Sequence, residues 1–184
     1  MNAKRLIVLV GPSGSGKTTL GDELTKMGYP KLVTTTTRNP RPGETDGVDY
    51  YFKRESDLDP DDFVEQTIYN GNVYGLTKAE VREALIRHPL VHVSLDRHGA
   101  EALKSVYPDD TFVVFVYVSE DEMRRRMENR GDNENKIAER IEFSQAINET
   151  EPIKEADLVI ENHSIEESVE AILDALKKVN RSSK

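Results

Sequence analysis

The sequence contains no cysteine among its 184 residues. That absence excludes disulfides, thiolate zinc sites, iron–sulfur clusters and cysteine nucleophiles together. With no disulfide to form, the chain suits a reducing cytosol. No stretch approaches the roughly 20 apolar residues of a membrane span. The first apolar run, Leu6–Val10, is too short for a signal-peptide core, and no small-residue cleavage pattern follows it. An excess of positive charge is also missing: 25 Lys and Arg stand against 34 Asp and Glu, a formal net charge of −9. This argues against non-specific contact with nucleic acid or an anionic membrane, and it leaves room for a local arginine cluster that binds a small anion. The four histidines, His88, His92, His98 and His163, show no metal-ligand spacing. There is no internal repeat and no low-complexity tract.

The apolar residues come in blocks. Leu6–Val10 is a continuous run that predicts a strand covered on both faces. A glycine-rich turn follows over Gly11–Gly16, then a helix from Lys17 to about Met27, stopped by Gly28 and Pro30. Lys31–Thr37, Leu90–Leu95, Thr111–Val118 and Leu158–Ile160 read as strands. Glu120–Asn129, Lys136–Glu149 and Ile165–Val179 read as helices. Strands alternating with helices predict an α/β fold, a mostly parallel sheet with helices on both faces. Residues 34–88 break this rhythm and read as a loop-rich lobe inserted into a core of 1–33 and 89–184. The acidic run Glu55–Asp62 within it reads as a solvated loop and helix start.

Gly11-Pro12-Ser13-Gly14-Ser15-Gly16-Lys17-Thr18 matches G-x-x-x-x-G-K-[ST], behind a buried strand and ahead of a helix, the setting this phosphate-binding loop requires. Glycines let successive backbone N–H groups turn onto phosphate oxygens, and the helix N-terminus adds partial positive charge. Lys17 would reach the β- and γ-phosphates, and the Thr18 hydroxyl would ligate Mg²⁺. The motif implies a nucleoside triphosphate site and leaves GTPase, ATPase and kinase open. No N-K-x-D motif follows, which removes a regulatory GTPase. A second anion site is suggested by Arg38 and Arg41 in a proline-stiffened loop beside Thr34–Thr37, with Tyr50 and Tyr51 as phenolic donors.

The stretch Thr35-Thr36-Thr37-Arg38-Asn39-Pro40-Arg41-Pro42-Gly43-Glu44, with Gly47, Asp49, Tyr50 and Phe52, resembles the signature of the guanylate kinase family. The similarity runs on through Phe63-Val64-Glu65, Gly71-Asn72-Val73-Tyr74-Gly75, Leu95-Asp96 with Gly99, the arginines Arg126, Arg130 and Arg140, and Ile160-Glu161-Asn162. The resemblance implies a P-loop NTPase-type sheet with an inserted nucleoside-monophosphate lobe and a short lid near 130–140. It implies transfer of a phosphoryl group from ATP, with Mg²⁺, to GMP and to dGMP, with no nucleic-acid or membrane partner, in a cytoplasmic monomer or homodimer.

Carried over by position, ATP would lie on Gly11, Ser13, Gly14, Ser15, Gly16, Lys17, Thr18, Thr19, Arg126 and Asn162, with Mg²⁺ on Thr18 and Asp96 as the candidate second ligand. Arg38, Arg41, Tyr50 and Tyr74 would hold the GMP phosphate, while Thr34, Glu65 and Asp96 would read guanine. A carboxylate suits guanine, whose N1–H and N2–H₂ are donors, and a threonine hydroxyl can donate to its O6. Lys17, Arg38, Arg130 and Arg140 would carry the catalytic charge. No general base is needed, because the attacking phosphate oxygen is already largely ionised near neutral pH. Three departures from the pattern stand out. Leu76 replaces a Ser or Thr and would remove a polar contact; Ser94 replaces an Asp that helps organise Mg²⁺; and Lys17 to Arg38 is shorter than usual. They leave two alternatives: a related kinase with a drifted acceptor, or a non-catalytic binding module of the same fold, against which the intact phosphate loop speaks.

Overall fold

A computed structural model describes residues 3–12, 14–146 and 151–182. Leu6–Val10 forms β1, buried along its whole length. Its side chains alternate between two cores. Leu6, Val8 and Val10 join one cluster with Leu103 and Phe115, whereas Ile7 and Leu9 join the other with Leu20, Phe112 and Ile172. This period of two places helices on both faces. At roughly 1.5–3 kcal/mol for each fully buried aliphatic or Phe side chain, these clusters are the main source of stability.

β1 is followed by α1 (Lys17–Lys26), and the parallel sheet is completed by β6 (Val91–Ser94), β7 (Thr111–Tyr117) and β8 (Leu158–Glu161), in the order β6-β1-β7-β8. Every pairing in this sheet is parallel, so all four strands end on one edge. α3 (Arg97–Val106), α4 (Glu120–Asn129), α5 (Glu134–Ala146) and α6 (Ile165–Ser182) complete this part of the chain. α4 and α5 share a small cluster of their own, Val118, Met123, Met127, Ile137 and Ile141.

Between α1 and β6 lies a second sheet in the order β3-β2-β5-β4, built from β2 (Thr35–Thr36), β3 (Tyr51–Phe52), β4 (Phe63–Tyr69) and β5 (Asn72–Thr77). α2 (Lys78–Arg87) leads back from it. The stretch Lys31–Thr37 is not one strand. Lys31 bridges His92 of the parallel sheet, and Thr35–Thr36 belongs to the second sheet. The apolar and β-branched pattern looks continuous because both halves are buried, each in a different sheet. The 136–149 helix starts two residues earlier than its pattern suggests, and 147–150 lie outside the described residues.

His92 on β6 is 1% exposed. Its Nε2 lies 2.9 Å from the Thr25 hydroxyl and its Nδ1 has no partner. Burial first, then the nearby Lys31 charge, pushes its pKa down from 6.5 to about 4. The unfolded chain therefore takes up a proton near pH 6.5 that the folded chain refuses until about pH 4. Stability is complete above pH 6.5 and falls between those values, by on the order of 3 kcal/mol in all. Urea unfolding of the wild type and His92→Gln across pH 4–7 checks this; parallel pH curves for the two proteins would contradict it.

Candidate active site

The glycine-rich loop begins where β1 ends. Gly11 has φ 153°, and a Cβ there would lie 1.9 Å from the Val116 carbonyl oxygen, so no other residue fits. Gly14 and Gly16 are left-handed at φ 83° and 95°. The Lys17 ammonium folds over the loop and donates to the Gly11 and Pro12 carbonyls at 2.5 and 2.9 Å. The Ser15 hydroxyl is fully buried and unpartnered. Thr18 and Thr19 are exposed on the first turn of α1, and Ser13 lies outside the described residues. Such a loop, with a glycine that tolerates no side chain and an orphaned hydroxyl, is built to wrap an anion.

Asn162 holds the loop from behind. Its Nδ2 donates to the Ser15 carbonyl at 2.8 Å, and its Oδ1 accepts from the Ser168 hydroxyl at 2.9 Å. It is 0% exposed, so both ends of the amide are spent inside the protein. Asn162 thereby supports the loop from within the protein. Arg126 spans the loop and the end of β8, donating to the Asn162 carbonyl at 2.7 Å and the Gly14 carbonyl at 3.4 Å, while Glu122 accepts from its Nε at 2.7 Å. Arg125 and Arg126 hold the Glu122 carboxyl below the usual carboxylate range, the Arg126 hydrogen bond being the larger cause.

A cavity of about 830 Å³ opens here, with Lys17, Thr18 and Thr19 on one side and Arg126, Arg130 and Arg140 on the other. Met123 and Met127 supply apolar wall, four apart on one face of α4. The sequence reading places neither of these two, nor Lys136 or Asp132, in the site; helical spacing three back from Arg126 and Arg130 points to the two methionines alone. Arg130 donates to Asp132 at 3.3 Å and Arg140 stacks on Phe143 at 5.5 Å.

The second sheet gathers the other predicted residues. Arg38 forks onto Glu44 through both terminal nitrogens, at 2.9 and 2.8 Å, and Glu44 also accepts the Arg41 N–H at 2.7 Å. The Arg38 hydrogen bonds, then that backbone bond, hold the Glu44 carboxyl down at about 2. Reciprocally, Glu44 raises the already high pKa of Arg38. The Arg38 guanidinium lies over the rings of Tyr50 and Phe52 at 5.5 and 5.7 Å, and Tyr74 meets Tyr50 edge-on at 6.0 Å. Arg41 itself is exposed. Glu44 was not foreseen as a functional residue, though it stands in the quoted motif.

Glu65 and Asp96 also converge. A bulge between Phe63 and Glu65 re-aims β4, and a Cβ on Gly99 would sit 3.4 Å from Glu65 Cγ and 3.3 Å from Asp96 Oδ1. Asp96 caps α3, accepting the Gly99 N–H at 2.7 Å. Burial first, then the Asp96 charge, raises Glu65 to about 6. The Leu95 N–H donates to the Leu9 carbonyl at 3.1 Å, so Asp96 lies level with the start of the glycine-rich loop on the shared sheet edge. Thr34 is half-buried, and its carbonyl accepts the Tyr51 N–H at 2.9 Å. Leu76 is 0% exposed inside the core cluster, and Thr77 caps α2 through the Glu80 N–H at 3.2 Å. The leucine fills the core.

Cation donors for Mg²⁺ are few but of the right kind. They are the exposed Thr18 hydroxyl, half-buried Ser94 and the Asp96 carboxylate, all oxygen. Such a set fits a metal carried in largely by phosphates and water. Among the described residues, no group of three or more His, Cys, Asp or Glu could hold a metal ion, and no helix is long and apolar enough to cross a membrane.

Residues 3–179 match the protein-family model for guanylate kinase. A guanylate kinase of Prochlorococcus marinus is 32% identical over 182 residues, covering 96% of this chain and 98% of that one. One of Clostridioides difficile is 37% identical over 187 residues, covering 96% and 90%. Among solved structures, a guanylate kinase from Anaplasma phagocytophilum superposes with a TM-score of 0.64 at 25% identity, covering 97% of this chain and 87% of that chain.

Proposed function

The chain belongs to the guanylate kinase family, and from that premise we infer that it transfers the γ-phosphoryl group of ATP to GMP, and to dGMP, as a nucleoside monophosphate kinase. The observation that carries this reading is the pairing of an intact glycine-rich loop with a separate arginine–tyrosine anion site on the second sheet. One site suits a donor triphosphate, the other an acceptor phosphate. A non-catalytic module would have no use for Lys17 and Arg38 together.

In this reading the loop N–H groups and Lys17 bind the ATP phosphates, and Asn162 and Arg126 keep the loop in shape. Met123 and Met127 offer the nucleotide an apolar wall. Mg²⁺ would be held by Thr18, with Asp96 and Ser94 as the nearby oxygen donors, and supplies positive charge to the triphosphate. Arg38, Arg41, Tyr50 and Tyr74 take the GMP phosphate. Arg130 and Arg140, on the lid near 130–140, draw toward the transferring group as the lid and the lobe at 34–88 close. Catalysis then consists of positioning and charge stabilisation, with the acceptor phosphate oxygen as nucleophile.

Thr34, Glu65 and Asp96 read guanine. Glu65 must be ionised to accept from N1–H and N2–H₂ together. As pH falls through about 6 it becomes neutral, and GMP affinity should drop by about tenfold for each further pH unit. The phosphate of GMP titrates in the same range, so the informative quantity is the difference between the wild type and Glu65→Gln. Calorimetric titration from pH 5 to 8 should show the steeper dependence in the wild type, and Glu65→Gln should discriminate less between GMP and AMP. Coincident pH profiles with unchanged selectivity would remove Glu65 from the base site.

A further inference from the structure

Two connectors join the second sheet to the parallel sheet. On the outward connector, the Leu32 N–H is tied to the core by the His92 carbonyl at 2.8 Å. Two residues later, Thr34 is tied to the lobe through Tyr51, and Thr35 and Thr36 pair with β3 and β5. Val33 stands alone between the two sheets. Its N–H donates to neither of them but to Glu80 Oε1 at 2.8 Å. The other carboxylate oxygen of Glu80 accepts the Tyr51 hydroxyl at 3.1 Å.

Glu80 belongs to the return connector. It is the third residue of α2, and Val81, Ala84 and Leu85 just beyond it pack into the core cluster with Leu6 and Val91. Thr77 and Glu80 have the spacing of a capping box, in which the Glu would turn back to the N–H of Thr77. It turns instead across to the other connector. At 9% exposure, it is the most buried acidic side chain described. A charge held that deep needs its donors, and it has one from the hinge and one from the lobe, beside the favourable start of a helix.

We propose that Glu80 is a positioning residue for phosphoryl transfer, the pivot that fixes the angle of the acceptor lobe on the core. The proposal rests on the reading of that lobe as the GMP site. Removing the carboxylate leaves the half-buried Val33 N–H without this partner and releases Tyr51, so the lobe wanders while the ATP site is untouched. A displacement of about 1 Å between reactants can cost about 100-fold in rate. Glutamine keeps an oxygen for Val33 and an amide for the Tyr51 hydroxyl, and so keeps the pivot.

The test pairs kinetics with a distance. Glu80→Ala should lower kcat by about 10- to 100-fold with Mg-ATP affinity unchanged, while Glu80→Gln stays within about threefold of the wild type. Because the chain has no cysteine, Thr67→Cys on the lobe and Lys178→Cys on α6 give a unique spin-label pair. Glu80→Ala should broaden the label distance distribution, and Glu80→Gln should leave it narrow. An unbroadened distribution in Glu80→Ala, a glutamine variant as impaired as the alanine one, or a parallel loss of ATP affinity would overturn the proposal. If Glu80→Ala does not fold, Tyr51→Phe carries the test: a broadened distribution supports the pivot and an unchanged one overturns it. A wild type that does not phosphorylate GMP would defeat the functional reading instead, and the distances would still judge Glu80.

Discussion

Lys17→Ala is expected to lower kcat by about three orders of magnitude without loss of fold. The side chain belongs to neither of the two cores, and its ammonium donates to the Gly11 and Pro12 carbonyls of its own loop. What it supplies is charge at a loop whose backbone runs so close to β7 that a Cβ on Gly11 would lie 1.9 Å from the Val116 carbonyl oxygen. Removing it takes away the positive charge on the loop side of the cavity, where the phosphates would be stabilised as charge shifts during transfer. Arg126 is fixed by three groups at once, Glu122, Asn162 and Gly14. Steady-state rates at saturating ATP and GMP, with a thermal melt as control, measure the effect. A folded variant with kcat within tenfold of the wild type would remove Lys17 from the mechanism.

The second large effect is at Arg38. Arg38→Ala should reduce kcat/KM for GMP by about 100- to 1000-fold and leave Mg-ATP binding intact, because in the proposed reading its guanidinium takes the acceptor phosphate, and it follows β2 of the second sheet whereas the glycine-rich loop follows β1 of the parallel sheet. Arg38→Lys should be nearly as damaging. An ammonium cannot keep the two-pronged bond to Glu44 while lying over Tyr50 and Phe52. Without that fork the carboxylate of Glu44 would keep the Arg41 N–H but lose its charge partner beside the incoming phosphate. Equal kcat/KM in the lysine variant and the wild type would show that only charge matters there and not geometry.

The phosphate loop was legible because everything it needs is contiguous: a buried strand, three glycines and a helix within about twenty residues. β1, β7 and α6 were legible for the same reason, each carrying its period within itself. The second sheet was not. β2 and β3 are two residues each, too short for any alternation, and they exist only through pairing with each other and with β5. The split of Lys31–Thr37 between two sheets likewise depends on His92 and Tyr51, distant in sequence. Glu44, Glu80 and the bulge beside Glu65 are tertiary facts, visible as residue types but not as contacts. For Leu76 the sequence shows that a hydroxyl is missing, and only the fold shows that the side chain packs in the core.

Phosphoryl transfer from ATP to GMP is measured by ADP release from Mg-ATP with GMP, dGMP, AMP, CMP, UMP or no acceptor. Turnover should be strong with GMP and dGMP, weak with the other nucleotides and almost nil without an acceptor. Comparable rates with AMP or CMP, or ADP release that ignores the acceptor, would contradict a guanylate kinase activity.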